Sequence, residues 1–305
     1  MKAVPPPLRL IAAFAAIYLF WGGTFLAIRY AVAEIPPLLM IAMRCAGGAA
    51  ILFVWLAWRS KLARPTLAEW KTAAVAGTFL FLGCHAVLAS AEQRVTSGQA
   101  SLYSTGIPLW LVVIDALRRR LWPARRVMAG LVLGCAGVAV LAHSSNWLSG
   151  TLMDRAGLIM GAFFWAAGSI YARDGARPSS ALQSAAMQLA CGALVVFAAS
   201  LAFGEPQHWT ADHVSGRAIV SLLYLIVCGT VLAFGAYTWL LRVTTSAAVG
   251  SYAFVNPIVA LLLAWGVGDE PMTVRTLVAA MLVITAVIFT RPPRKFRVMP
   301  RRSDP

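Results

Sequence analysis

Long apolar runs separated by short polar breaks fill almost the whole chain, and ten of those runs are long enough to cross a bilayer. A helix rising 1.5 Å per residue needs about 20 apolar residues to cover the hydrocarbon core. The pattern predicts spans at 8–31, 37–58, 70–91, 97–117, 125–142, 155–172, 180–203, 217–241, 246–266 and 273–290. These are continuous runs rather than ten-residue segments of alternating polarity, which argues for helices and against a β-barrel. The longest break, 204–216, is too short for a soluble domain. The expected fold class is an all-α integral membrane protein with ten transmembrane helices.

The second five spans echo the first five. Residues 42–53 read AMRCAGGAAILF and residues 186–197 read AMQLACGALVVF, a displacement of 144 with six of twelve positions identical. Trp21 and Trp165 keep the same displacement. Further along it becomes 149, pairing Tyr103 with Tyr252, Pro108 with Pro257 and Arg126 with Arg275, as a five-residue insertion before the eighth span would produce. An odd number of spans per repeat turns the halves over relative to one another. Two inverted five-helix repeats are expected, 8–142 and 155–290, followed by a basic cytoplasmic tail at 291–305.

Composition agrees with a membrane domain: 60% of residues are hydrophobic, 12% are charged, and mean hydropathy is +0.76. The net charge of +15 is segregated. Twenty of the 26 Lys and Arg precede the first span, follow the tenth, or fall in every second loop (59–71, 118–126, 173–177 and 242). The opposite side holds Arg29, Arg94, Arg155, Arg217 and Arg275. By the positive-inside rule both termini face the cytoplasm, in a multi-pass protein of a bacterial inner membrane. The basic tail then touches anionic lipid headgroups, and no nucleic-acid partner is expected. Lys2 and Arg9 mimic a signal peptide, but the apolar run continues through Trp21 without a small-residue cleavage site, so an uncleaved first span is expected. All five cysteines fall inside apolar runs without metal-ligand spacing, and no metal or cofactor is expected.

Polar residues inside the spans are the candidates for chemistry. Arg44 lies about 10 Å from the outer end of span 2, where an arginine needs a partner or a wet cavity. It either meets a carboxylate or phosphate of the substrate, pairs internally with Glu34 or Glu92, or snorkels to the interface. Its repeat partner Gln188 is polar too. Trp21 and Trp165 lie away from the interfacial belts and stack on a substrate, gate a cavity, or simply pack. Tyr103, Tyr252 and Asn256 bring polar groups into apolar surroundings. Pro108 and Pro257 fall near mid-span, where a freed carbonyl either marks a binding site or only kinks the helix. His85 and Glu92 share one face of span 3. His85 titrates near neutral pH and is read as a proton-coupling group or a hydrogen-bonded core histidine; Glu92 is read as a gate at the outer mouth. Asp115 is expected to pair with Arg118 and Arg119. Gly130 and Gly134 form a GxxxG for close packing. No carboxylate is expected deep inside a span.

Several of these features together resemble the drug/metabolite transporter (DMT) superfamily, in its ten-span EamA family. They are Trp21–Gly22–Gly23, Arg44, AEQRVTSGQASLYSTGIPLW at 91–110, the Gly-rich AGLVLGCAGVAVL at 129–141, and NPIVALLLAWGVGDE at 256–270. The family often carries an acid after span 4 or 9; Glu270 fits, whereas the matching first-half position is Leu121. The resemblance implies export or exchange of small metabolites, amino acids or drugs.

No GxxxxGK[ST] loop is present, so this chain does not power transport with ATP, and no HExxH or Ser–His–Asp pattern suggests an enzyme. The expected function is secondary transport. The chain would export a small polar or amphipathic, amino-acid-like metabolite by alternating access through a central cavity between the repeats. Efflux of cationic drugs is the alternative, and Arg44 would repel such cargo. A membrane-embedded enzyme or a non-transporting scaffold fits less well. Expected partners are the small-molecule substrate and membrane lipids, with proton exchange and oligomeric state left open.

Overall fold

The computed structural model describes residues 7–120, 122–142 and 150–268, with the further helical positions Val278, Met281, Leu282, Thr285, Ala286 and Phe289. Apart from those six positions, the expected tenth span, and with it the basic tail, Leu121, Glu270 and Arg275, lie outside the described residues. Among those residues every regular element is a helix.

Eleven α-helices follow in order: α1 Pro7–Val32, α2 Pro37–Trp58, α3 Leu67–Ala91, α4 Ser97–Tyr103, α5 Gly106–Arg119, α6 Arg125–Ala142, α7 Leu152–Asp174, α8 Ala181–Ala202, α9 Gly216–Val243, α10 Ser246–Gly250 and α11 Tyr252–Gly268, with two short 3-10 turns, Glu205–His208 and Ala211–His213, between α8 and α9. Five of them, α1, α2, α3, α8 and α9, are long and apolar enough to cross a membrane. Their starts follow capping chemistry. Thr66 with Glu69 and Thr151 with Asp154 form capping boxes at α3 and α7, while Ser180, Ser215 and Thr245 cap α8, α9 and α10. The boxes explain why α3 and α7 begin three residues before their apolar runs suggest.

The segments expected as spans 4 and 9 are each two helices, not one. The break in span 4 lies at Ser104–Thr105, so Pro108 occupies the first turn of α5, where its missing N–H costs little. The break in span 9 lies at Ser251, and Pro257 sits inside α11. Both α3 and α9 widen into π-helical turns, Thr78–Ala86 and Leu225–Leu232. Displacing the first by 149 gives 227–235, which overlaps the second.

Packing is reciprocal between the halves. α2 runs along α8. α1 packs on α9 and α11 as α7 packs on α3 and α5, and α2 meets the π turn of α9 as α8 meets that of α3. The GxxxG glycine Gly134 lies against Phe254 within the chain.

Polar contacts tie the loops into two groups. In one, Glu205 accepts Leu38 N at 3.2 Å and Leu39 N at 2.8 Å, capping α2 from beyond α8. Glu34 accepts Ser215 N at 2.5 Å and Ser215 Oγ at 2.8 Å, capping α9, and these bonds hold its carboxyl below the ordinary range. Arg94 pairs with Asp154 in the same group, and its hydrogen bond holds that carboxyl well below the usual value. In the other group, Gln183 bonds both backbone groups of Ala63. There Arg173 pairs with Asp115 and Asp174, each at 2.7 Å. The expected partners of Asp115 need correcting: Arg119 reaches it at 2.8 Å, but Arg118 turns to Asp174 at 3.6 Å.

Gly77 shows how closely α3 and α8 approach. A Cβ there would fall 2.5 Å from Gln188 O and 3.0 Å from Gly192 N, both backbone atoms that cannot swing aside. Gly77→Ala is expected to cost about 1–3 kcal/mol through overpacking. Thermal unfolding in detergent checks this against Gly216→Ala, where nothing lies within 4 Å of the added methyl.

Candidate functional site

The centre of the molecule is built where α2 delivers a cation to the π turn of α9. Arg44 is 3% exposed. Its Nε donates to Thr230 Oγ1 at 2.8 Å, and its Nη2 makes a long 3.5 Å bond to Gly229 O. Thr230 Oγ1 in turn donates to Leu225 O at 2.8 Å. A π turn bonds i to i+5 and displaces carbonyls from the ordinary ladder, which leaves Gly229 O available to side chains. Gly229 must be glycine to allow this approach: a Cβ would lie 2.8 Å from Thr24 Cγ2 and 3.2 Å from Arg44 Nη2. Arg44 Nη1 is buried without a partner.

Two expectations for Arg44 are thereby corrected. Among the described residues it forms no ion pair; Glu34 is engaged with Ser215, and neither Glu92 oxygen has a hydrogen-bond partner. Nor does it snorkel, because its tip is enclosed between helices.

The same Gly229 carbonyl accepts Trp21 Nε1 at 2.8 Å. Trp21 anchors a layer of aromatic rings that closes the middle of the molecule. Its centroid lies 5.5 Å from Trp165, 5.1 Å from Tyr237 and 4.6 Å from Tyr252. Trp165 lies 5.4 Å from Tyr237 and 4.9 Å from His85, whose imidazole stacks on Phe81 at 5.6 Å. Phe234 packs against Phe81 at 5.3 Å and completes the layer. Trp165 Nε1 and His85 Nδ1 are buried without hydrogen-bond partners.

Glu92 caps the C-terminal end of α3. It is 2% exposed with both carboxylate oxygens unpartnered, so it lies in the protein interior rather than at an open mouth. This buried carboxylate sits at the end of α3, not deep inside a span, and the charges that act on it are Arg29 and Arg44.

On the far side of the aromatic layer a narrow cleft opens among α7, α8 and α9. Ser169, Arg173, Arg177, Ser184, Gln188 and Arg242 are among the residues lining it. Its enclosed part has room for about one water molecule. Tyr237 belongs to both layer and cleft, and its hydroxyl meets Ser169 Oγ at 2.6 Å. Gln188 donates to Ser184 at 3.1 Å.

Of the residues singled out from sequence, the fold thus gathers Arg44, Trp21, Trp165, Tyr252 and His85, with Glu92 buried nearby. Asn256 stands one turn along α11. With its amide turned to donate, its nitrogen lies 3.0 Å from Tyr252 O and 3.3 Å from Tyr18 O. Gln188 belongs to the cleft instead. Tyr103 lies apart, against the small cluster of Phe25, Ala91, Val95, Ala100 and Leu158. Pro108 packs on Gly250 at the junction of the two broken spans. Thr230, Gly229, Tyr237, Phe81 and Phe234 were not anticipated. The displacement of 149 would have found Phe234, which is the repeat partner of His85. Among the described residues no three His, Cys, Asp or Glu side chains come together as a metal site.

Comparison with known proteins gives this geometry its context. The sequence matches the EamA-like transporter family twice, over residues 8–142 and 156–291. It is 30% identical over 286 residues to the inner membrane transporter YedA of Escherichia coli K12, covering 92% of this chain and 90% of that one. A probable amino-acid metabolite efflux pump of Salmonella typhimurium is 26% identical, with coverages of 89% and 91%. A solved crystal structure is alike in fold at 18% identity, with a TM-score of 0.74 over 92% of this chain and 96% of the other. Relatives and family alike are transporters, not enzymes.

Thr230 is the direct test of how the buried cation is held. Thr230→Val keeps the shape but removes the acceptor of Arg44 Nε, at an expected cost of about 1–3 kcal/mol or more for a charged donor. Thr230→Ser keeps the oxygen and should retain most of the stability. Thermal unfolding of both variants in detergent measures the difference.

Proposed function

The chain belongs to the EamA-like transporter family, and on that premise we propose that it exports a small polar, amino-acid-like metabolite by alternating access between two inverted five-helix repeats. The repeats are 8–142 and 155–290, with ten spans in all, a basic tail at 291–305 and both termini in the cytoplasm. The polar contacts support this topology. They join the loop after α1 to the loop before α9, and the loop after α3 to the start of α7. The loop after α2 is joined to the start of α8 instead. That grouping is what regular crossing of a membrane requires, and the bias of Lys and Arg gives the orientation.

The observation that carries the substrate reading is Arg44: a buried guanidinium between the halves, bonded only to neutral groups, with Nη1 unfilled. A charge kept in such a place is well suited to a carboxylate, because a charge-assisted bond in a dry site is strong. The efflux function named for the Salmonella relative fits the same chemistry. Trp21, Trp165, Tyr237 and Tyr252 form the barrier that opens to either side. The halves are unequal in this state, since Trp21 is latched to Gly229 O while Trp165 Nε1 has no partner. Exchanging that latch is the step by which access would alternate.

A second reading draws on Glu92. A buried carboxylate with both oxygens unpartnered suits a proton, and His85 on the same helix offers the next stop. It would make the exporter a proton exchanger, or favour a cationic cargo.

Counterflow of labelled amino acids into proteoliposomes tests the proposal. Arg44→Lys keeps the charge but loses the fork, and should lower the initial rate about 10–100-fold at limiting substrate while the protein stays folded. Equal rates for wild type, Arg44→Lys and Arg44→Ala would overturn the role of Arg44. Flux of organic cations without flux of zwitterions would favour the Glu92 reading.

A further inference from the structure

The cleft at the end of the molecule bearing the α7–α8 and α9–α10 connections is crowded with arginine. Arg173 is neutralised there by Asp115 and Asp174. Those two acids also serve Arg118 and Arg119, so their charge is already shared among three cations. Arg177 and Arg242 line the same cleft, close enough to repel one another. Among the described residues neither has a carboxylate within ion-pair distance.

Arg242 is occupied only by neutral carbonyls. Its Nη1 donates to Pro178 O at 2.9 Å and Ser179 O at 2.7 Å, and its Nη2 donates to Ser180 O at 3.3 Å. Arg177 Nη1 is buried with no partner at all. The first turns of α8 add to the field: Ser184 and Gln188 line the cleft from the N-terminal part of a 22-residue helix, whose positive dipole end lies there. Two like charges held together without a counter-ion cost free energy unless an anion visits.

We infer that this cleft is an anion-binding vestibule, in which Arg177 and Arg242 receive one carboxylate or phosphate group. The guanidinium fork suits both groups. The enclosed part has room for about one water-sized atom, which is one oxygen of such a group, and the rest of the ligand occupies the open mouth. Tyr237 and Ser169 close the inner end, so an anion held here stands one aromatic layer away from Arg44. The vestibule would pre-load an acidic substrate before the layer opens. Only that last role rests on the transport reading; binding itself can be measured without flux.

The same chemistry comes from two sources, a soluble anion or an anionic lipid headgroup, and one experiment separates them. The full-length protein is placed in nanodiscs of phosphatidylcholine, and its unfolding temperature is followed with rising inorganic phosphate at constant ionic strength. The expected result is a saturable rise in the wild type and at least a tenfold weaker apparent affinity in Arg177→Gln. Arg155→Gln removes a charge in the opposite loop group and should leave the response intact. Persistence of the response in phosphatidylglycerol nanodiscs identifies a site for soluble anions. Its disappearance there, with a higher starting stability that Arg177→Gln abolishes, identifies the headgroup. No saturable response in the wild type, or an equal loss in Arg177→Gln and Arg155→Gln, would overturn the inference.

Discussion

The structure depends on one peptide group. Gly229 O, displaced by the π turn of α9, accepts Trp21 from α1 and the longer bond from Arg44 of α2, so three helices meet at a single carbonyl. A guanidinium at the centre of a transmembrane helix costs about 2.5–3.5 kcal/mol on insertion scales unless it is answered. Thr230 answers Nε, Gly229 answers Nη2, and Nη1 remains. The absence of a side chain at 229 lets the cation and the indole come close enough. Everything built outward from Trp21, the ring layer above all, inherits its position from that contact.

Packing repeats between the halves, but hydrogen bonding does not. The repeat counterparts of Trp21, Arg44 and Gly229 are Trp165, Gln188 and Leu80. Trp165 Nε1 finds no acceptor, and Gln188 turns to Ser184 on its own helix. The first half thus reaches into the π turn of the second, while the second half does not reach back. In the proposed pair of inverted repeats, such a difference is what one of two alternating states would show. Charge follows the same division. The uncompensated arginines Arg177 and Arg242 lie in the cleft on one side of the ring layer, whereas the buried, unpartnered Glu92 caps the end of α3 at the other loop group.

Helices were easy to read from sequence because apolar runs and caps both mark them. The runs at 37–58 and 125–142 coincide with α2 and α6, and where α3 and α7 start early, Thr66–Glu69 and Thr151–Asp154 were there to be read. Pro108 and Pro257 pointed to interrupted spans, although the interruptions fall at Ser104–Thr105 and Ser251. The π turns had no signal, since a π turn needs only one extra residue per turn and no special composition. For that reason the partners of Arg44 were sought among acids, when they are a hydroxyl and a carbonyl. Tyr237 and Phe81 escaped because a single ring in a long apolar run looks like packing until the neighbouring helix is known. Glu92 was read as a gate at the outer mouth from its place at a span end, but its burial there could not be read from one helix alone.

Alternating access is the central claim, and distances between spin labels test it most directly. In a variant without its five native cysteines, one label pair is placed at Ala33 and Asp212, and another at Leu62 and Ala176, so that each pair joins the two halves at one end. Pulsed dipolar spectroscopy in proteoliposomes, with and without a mixture of amino acids, reads both distances. The account predicts two populations at each end, with one pair lengthening as the other shortens. A single distance at both ends, unchanged by substrate, would contradict it.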